Sequence, residues 1–233
     1  MSTTASSPGF PVYVTGSTGS PRALIVLQEA FGVNHHIRNV ADRFADAGFF
    51  AVAPHLFHRS GAPEIPYDEF DRAMPLMAEL TVEGLTNDLN ATIDFLNSLG
   101  FGSSSIGVVG FCMGGSVAFY AATLAGVGAA VTFYGGGLTK GRFGLSPLLE
   151  LAPTLRAPWL GLFGDLDTSI PSDDVEALRV VTAKLPLTTD IVRYPDAQHG
   201  FHCDARPSAY NEGAARDAYR RTLDFFAEQL SDR

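Results

Sequence analysis

Residues able to do covalent hydrolytic chemistry occur along the chain in the order cysteine, aspartate, histidine. Cys112 stands in Gly110-Phe111-Cys112-Met113-Gly114-Gly115, Asp165 and Asp167 in Gly164-Asp165-Leu166-Asp167-Thr168-Ser169-Ile170-Pro171, and His199 in Ala197-Gln198-His199-Gly200-Phe201. A thiol with a pKa of about 8.5 is mostly protonated at neutral pH, and an adjacent imidazole or a helix N-terminus makes it nucleophilic. A carboxylate that orients the imidazole completes the set. Such a trio attacks a carbonyl carbon and passes through an acyl intermediate. Taken alone, the Cys112 stretch has a second reading, a buried cysteine in a glycine-rich connection. Chemistry alone also leaves Asp165 and Asp167 as equal candidates for the acid.

The elements around these residues decide whether they meet. Apolar runs at Ala23–Leu27, Phe49–Ala53, Ile106–Val109, Ala129–Tyr134, Pro158–Phe163 and Thr189–Tyr194 are short enough for buried strands, and Val12–Thr15 reads as an edge strand. Helical periodicity predicts helices over His35–Ala47, Tyr67–Leu80, Thr81–Ser98, Ser116–Ala125, Asp173–Lys184 and Tyr210–Leu230. Pro75 should kink or end the second of these. Ala214, Ala218, Leu223 and Phe226 are expected to face inward in the last, and Lys140–Arg156 reads as a loop with a short helix. Strands alternating with helices predict an α/β fold, a mostly parallel central sheet with helices on both faces. No repeat or linker divides the chain, so residues 1–233 are expected to form one domain. Open α/β sheets place their sites at the carboxyl ends of strands. Cys112, the two aspartates and His199 each follow a predicted strand.

Composition narrows the function classes. A formal net charge of −9 argues against a sequence-independent nucleic-acid binder. Two cysteines are too few for a disulfide framework and fit a reducing compartment, so a cytoplasmic protein is expected. A Cys112–Cys203 bridge would block the nucleophile and is not expected. The stretch from Phe95 to Thr139 carries no charged residue, yet glycine and serine clusters cut it into pieces too short to span a bilayer. Met1 to Gly9 has neither a basic start nor an apolar run, so no targeting segment is expected there.

With Gln28-Glu29-Ala30-Phe31-Gly32-Val33-Asn34, the Gly110–Gly115 turn, the Gly164–Pro171 segment and His199-Gly200-Phe201 together, the chain resembles the dienelactone hydrolase (carboxymethylenebutenolidase) family of α/β-hydrolases from about residue 10 to its end. The resemblance implies Cys112 as nucleophile, His199 as base and Asp167 as the acid, with Asp165 left to cap its loop or a nearby helix. It implies Glu29 as a partner that helps take the thiol proton, against the plainer reading of a solvated carboxylate at a helix start. The backbone N–H groups of Ala30 and Met113 would then form the oxyanion hole. The implied substrate is a small lactone or activated ester, with no cofactor, no nucleic-acid or membrane partner, and a monomer by default.

Family members hold a substrate carboxylate with arginines. Arg206 and Arg72 are the candidates here, and Arg59 is a third without a motif behind it. His55 stands where relatives commonly have aspartate, a departure that bears on specificity. His35, His36, His202 and Cys203 lack a third ligand at zinc-like spacing, so no metal is expected and they read as surface or substrate-loop residues. Tyr134 reads as packing. Two rival functions stay open, a carboxylesterase or thioesterase of different substrate class, and a non-enzymatic small-molecule binder or redox-sensing thiol with Cys203 as its resolving partner.

Overall fold

The computed structural model of the chain describes residues 7–233, so the expectation of no targeting segment rests mostly on residues outside the described ones. Seven strands, β1 (Val12–Thr15), β2 (Arg22–Leu27), β3 (Phe49–Pro54), β4 (Ile106–Phe111), β5 (Ala129–Phe133), β6 (Trp159–Gly164) and β7 (Thr189–Tyr194), join in one sheet. Their order is β1-β3-β2-β4-β5-β6-β7. Only β1 runs antiparallel, along β3, and every other neighbouring pair is parallel. Strands β3 to β6 are buried at every position, which is why they read as continuous apolar runs rather than as alternation.

The helices are α1 (His35–Asp46), α2 (Phe70–Ala78), α3 (Val82–Ser98), α4 (Met113–Ala121), α5 (Leu148–Leu151), α6 (Ser172–Thr182) and α7 (Glu212–Gln229). Helices α1 and α7 share one face, where Phe44 packs on Tyr219 and Phe49 on Phe226. Helix α4 covers β4 and β5 and touches α3 and α5. The connection after β2 leads to β3 on one side, while β4 lies on the other. The sheet's switch point therefore falls between β2 and β4, where a crevice opens at the carboxyl ends of the strands.

Two local differences from the sequence-based expectation have clear causes. Helix α4 begins at Met113 rather than near Ser116, because Gly114 and Gly115 are helical. Their missing Cβ atoms permit contact instead of breaking the helix: a Cβ on Gly114 would meet the Gln28 oxygen at 2.4 Å, and one on Gly115 the Phe133 oxygen at 2.6 Å. Pro75 sits inside α2 and the helix runs on to Ala78. In so short a helix, one lost bond at an exposed carbonyl is easily hydrated. In α7 the inward face is carried by Ala214, Ala218, Thr222, Phe225 and Phe226, with Leu223 only half-buried. No helix among the described residues is long and apolar enough to cross a membrane.

Candidate active site

The turn between β4 and α4 carries Cys112 in an unusual backbone conformation, φ 55° and ψ −117°. A side chain at such a φ is strained by roughly 1–3 kcal/mol and persists only where neighbours over-determine it. Those neighbours are identifiable. The Cys112 N–H donates to the Phe133 carbonyl at 3.0 Å, the Gly114 N–H to the Gln28 carbonyl at 3.1 Å, and the Gly115 N–H to the Cys112 carbonyl at 2.9 Å. Behind the turn, Trp159 Nε1 donates to Thr132 Oγ1 at 2.9 Å, and that hydroxyl donates to the Gly115 carbonyl at 2.9 Å. The half-buried sulfur is thereby lifted to the N-terminus of α4, where the helix dipole favours an anion. Neither the Met113 nor the Ala30 N–H enters the backbone bonds that hold this region together among the described residues.

His199 follows β7 and Asp167 follows β6. His199 Nδ1 lies 2.6 Å from Asp167 Oδ2, while Asp167 Oδ1 accepts from the Ser169 hydroxyl at 2.6 Å and its N–H at 2.9 Å. Burial would raise the Asp167 carboxyl, but these hydrogen bonds outweigh it and hold its pKa below the ordinary carboxylate value. Burial alone would lower the His199 imidazole. The facing Cys112 sulfur and the Asp167 carboxylate more than reverse this and lift it to about 10. The imidazole is thereby held in its charged form to well above neutral pH. Asp165 points elsewhere, accepting from Arg193 Nε at 2.6 Å, and its side chain makes no hydrogen bond to His199 or to a helix end among the described residues.

Glu29 is fully buried beneath the turn, which rules out a solvated carboxylate. Its Oε1 accepts from the Tyr134 hydroxyl at 3.4 Å, and no hydrogen bond joins it to Cys112 among the described residues. Tyr134 is fully buried and packs on Phe133 and Phe201, and it also borders the candidate site. It has a positive φ of 39°, stacks edge-on against His199 at 5.1 Å, and its hydroxyl feels both Glu29 and Cys112. Its position just after β5, a carboxyl-end position like the other three, was the signal for it. The Glu29 carboxylate also lies close to His36 and Cys203, both buried rather than on the surface. His202 is also buried, and desolvation keeps it neutral. Cys112 and Cys203 are free thiols.

A cleft of about 740 Å³ opens over Cys112, Met113 and His199. Phe31, Phe70, Met74, Phe143 and Leu166 give it apolar walls, and two guanidinium groups, Arg206 and Arg142, reach it. Arg206 lies over the Phe31 and Tyr67 rings at 5.7 and 5.6 Å. Arg142 gave no sequence signal, since it sits in the irregular stretch before α5. Arg72 is not at the cleft: its exposed side chain pairs with Glu69. Arg59 is also elsewhere, held by both oxygens of Asp88 at 2.8 and 2.7 Å. His55 lies off the cleft as well, and burial lowers its pKa.

The likeness to known proteins extends across the whole of this architecture. The model of the "Dienelactone hydrolase family" matches residues 10–230. A "Putative carboxymethylenebutenolidase" of Salmonella typhimurium is 36% identical over 224 residues, 95% of this chain and 82% of that protein. The "Carboxymethylenebutenolidase" of Pseudomonas putida is 32% identical over 223 residues, 94% of this chain and 91% of its own. The crystal structure of a "Putative Dienelactone Hydrolase" from Klebsiella pneumoniae superposes with a TM-score of 0.84 at 32% identity, covering 94% of this chain and 93% of that one. Sequence and backbone therefore agree from the edge strand to the last helix, and the chain belongs to the dienelactone hydrolase family, hydrolases of ester and lactone bonds.

Proposed function

We propose that the chain hydrolyses an enol-lactone or activated ester with Cys112 as nucleophile, His199 as general base and acid, and Asp167 as the group that orients the imidazole. The observation that carries this is the 2.6 Å His199–Asp167 bond on the imidazole whose other side faces Cys112. Thiolate adds to the carbonyl carbon, and the Ala30 and Met113 N–H groups receive the resulting oxyanion. Collapse expels the enolate, which takes a proton from the His199 imidazolium, and leaves an acyl-thioester. Water then gives a proton to His199, attacks the thioester, and returns Cys112 to its thiolate. Glu29 assists loss of the Cys112 thiol proton toward His199, and its Oε1 accepts from the Tyr134 hydroxyl at 3.4 Å. The whole chain, residues 1–233, acts as one domain, and the steps require no cofactor.

An enolate is expelled easily, so a soft nucleophile suffices and simple alkyl esters should react slowly. Arg206 and Arg142 favour a substrate that carries a carboxylate. The apolar walls at Phe70, Met74, Phe143 and Leu166 favour a second reading, a carboxylesterase or thioesterase for a bulkier acyl group. The redox-sensor alternative gains no support, because the Cys203 thiol donates to Tyr67 at 3.3 Å and is buried. Hydrolysis of dienelactone and 4-nitrophenyl acetate by wild type and Cys112→Ala tests the reading. Fast lactone turnover, slow acetate turnover and loss of both in the variant are expected. Equal rates in the variant would overturn it, and acetate turnover alone would favour the second reading.

A further inference from the structure

Beneath the cleft, three chemically distinct side chains from distant parts of the chain converge: Glu29 after β2, His36 in α1 and Cys203 beyond β7. One ligand atom from each lies within 4.8 Å of the other two, and all three residues are buried. Two polar atoms of these side chains, Glu29 Oε2 and His36 Nε2, are buried with no hydrogen-bond partner among the described residues. Buried polar atoms left unpaired cost about 1–3 kcal/mol each, so a pair of them on side chains that converge this closely calls for an occupant.

We infer that Glu29, His36 and Cys203 form a binding site for a borderline divalent cation of the Zn²⁺ or Co²⁺ kind. The donor set is one thiolate, one imidazole and one carboxylate, which suits such ions and disfavours Mg²⁺ or Ca²⁺. The imidazole is already arranged as a ligand. Its Nδ1 is taken by Asp204 Oδ1 at 3.0 Å, which leaves Nε2 free to point inward. A carboxylate on the outer nitrogen is the usual support of a metal-bound histidine. Tetrahedral coordination requires ligand atoms roughly 3.5 Å apart, so no pair of the three groups need close in by more than about 1.3 Å. A surface cleft of about 310 Å³, bounded by Asn34, His36, Glu64, Tyr67 and Ala205, reaches the cluster at His36. Binding exchanges the Cys203 thiol proton for a sulfur–metal bond, and the proton leaves to solvent. Without a cation, burial and Glu29 push that thiol up to about 12, so it stays protonated. Occupancy would also hold the carboxylate that assists Cys112 and so slow hydrolysis. That consequence rests on the proposed function, while the site does not.

The test is Co²⁺ titration of the full chain, read by the thiolate-to-cobalt charge-transfer band in the near ultraviolet. The band is expected in wild type and in Cys112→Ser, and absent in Cys203→Ser. Asp204→Asn, an exposed change that leaves the three ligands intact, should weaken Co²⁺ binding by about 10–100-fold. Circular dichroism establishes that each variant is folded. No band at millimolar Co²⁺ in folded wild type would overturn the inference. So would a band that survives Cys203→Ser, or one that disappears in Cys112→Ser. None of these readouts requires turnover, so the cation site stands or falls independently of whether the protein hydrolyses lactones.

Discussion

The charge state of His199 offers the sharpest test of the proposed chemistry. Its imidazole rises from the ordinary 6.5 to about 10, with the Cys112 sulfur the leading cause of the rise and Asp167 the next. That difference corresponds to roughly 5 kcal/mol in favour of imidazolium, an upper bound because part of the ring meets solvent. A base with a raised pKa holds its proton to higher pH, so wild-type His199 should stay charged through neutrality and titrate near the alkaline end. Cys112→Ala deletes the sulfur and spares Asp167, so the titration should move to lower pH. Heteronuclear NMR of the His199 ring nitrogens from pH 5 to 11 reads both proteins directly. The lactone kcat/KM of wild type should fall as the imidazolium is lost at high pH. Two outcomes would refute the reasoning: a wild-type ring that titrates near 6.5, or a ring that titrates identically in the variant.

Asp167→Asn should abolish most hydrolysis and also change the acid limb of stability. The folded Asp167 pKa lies below its ordinary 3.8, so its stabilisation is present above that value and lost as pH falls through the folded pKa. Urea midpoints between pH 5 and 3 should therefore drop more steeply in wild type than in the variant, and parallel slopes would contradict this. Arg206→Ala should raise KM for a carboxylate-bearing lactone by about 10-fold or more while sparing a neutral ester, since a charge-assisted contact contributes about 1.5–3 kcal/mol. Arg72→Ala should change neither value. Gly114→Ala places a Cβ 2.4 Å from the Gln28 oxygen and 2.5 Å from the Leu27 oxygen, which the backbone cannot yield cheaply. A loss of about 3 kcal/mol in chemical denaturation is expected, and wild-type stability with full activity would refute the close-packing argument.

The fold was legible because buried parallel strands announce themselves as short apolar runs between glycines, as β3 and β6 do. The Cys112 turn, Asp167 and His199 were legible for a related reason: each follows such a run at the sheet's carboxyl edge. Residue type could not separate Asp165 from Asp167. The family resemblance implied Asp167, and the side chains point apart accordingly, Asp165 toward Arg193 and Asp167 toward His199. Arg72 and Arg59 failed as cleft residues because Glu69 and Asp88 claim them: the first is a local pair three residues apart, the second joins a loop to a helix distant in sequence, which spacing does not report. Burial of His36, His202 and Cys203 was hidden for another reason. Each polar residue is surrounded by chain segments far away in sequence, so no local pattern marks it as interior. Tyr134 reads as packing on residue type alone, since its hydroxyl gains meaning only from Glu29 on another strand's loop.

The pairing of β2 with β4 aligns Leu27 with Gly110, and that one register sets Glu29 and Ala30 beside Cys112. Because the paired segments are widely separated in sequence, their docking must close a long loop, and such contacts form slowly. His199 joins only when β7 has added to the far side of the sheet, still later along the chain. Every partly folded species that lacks these pairings exposes a bare thiol with no imidazole to charge it and no amides to receive an oxyanion. Recovery of turnover during refolding should therefore lag behind helix formation and coincide with completion of the sheet. Activity in this protein is a late clock, started only when the most distant strands have met.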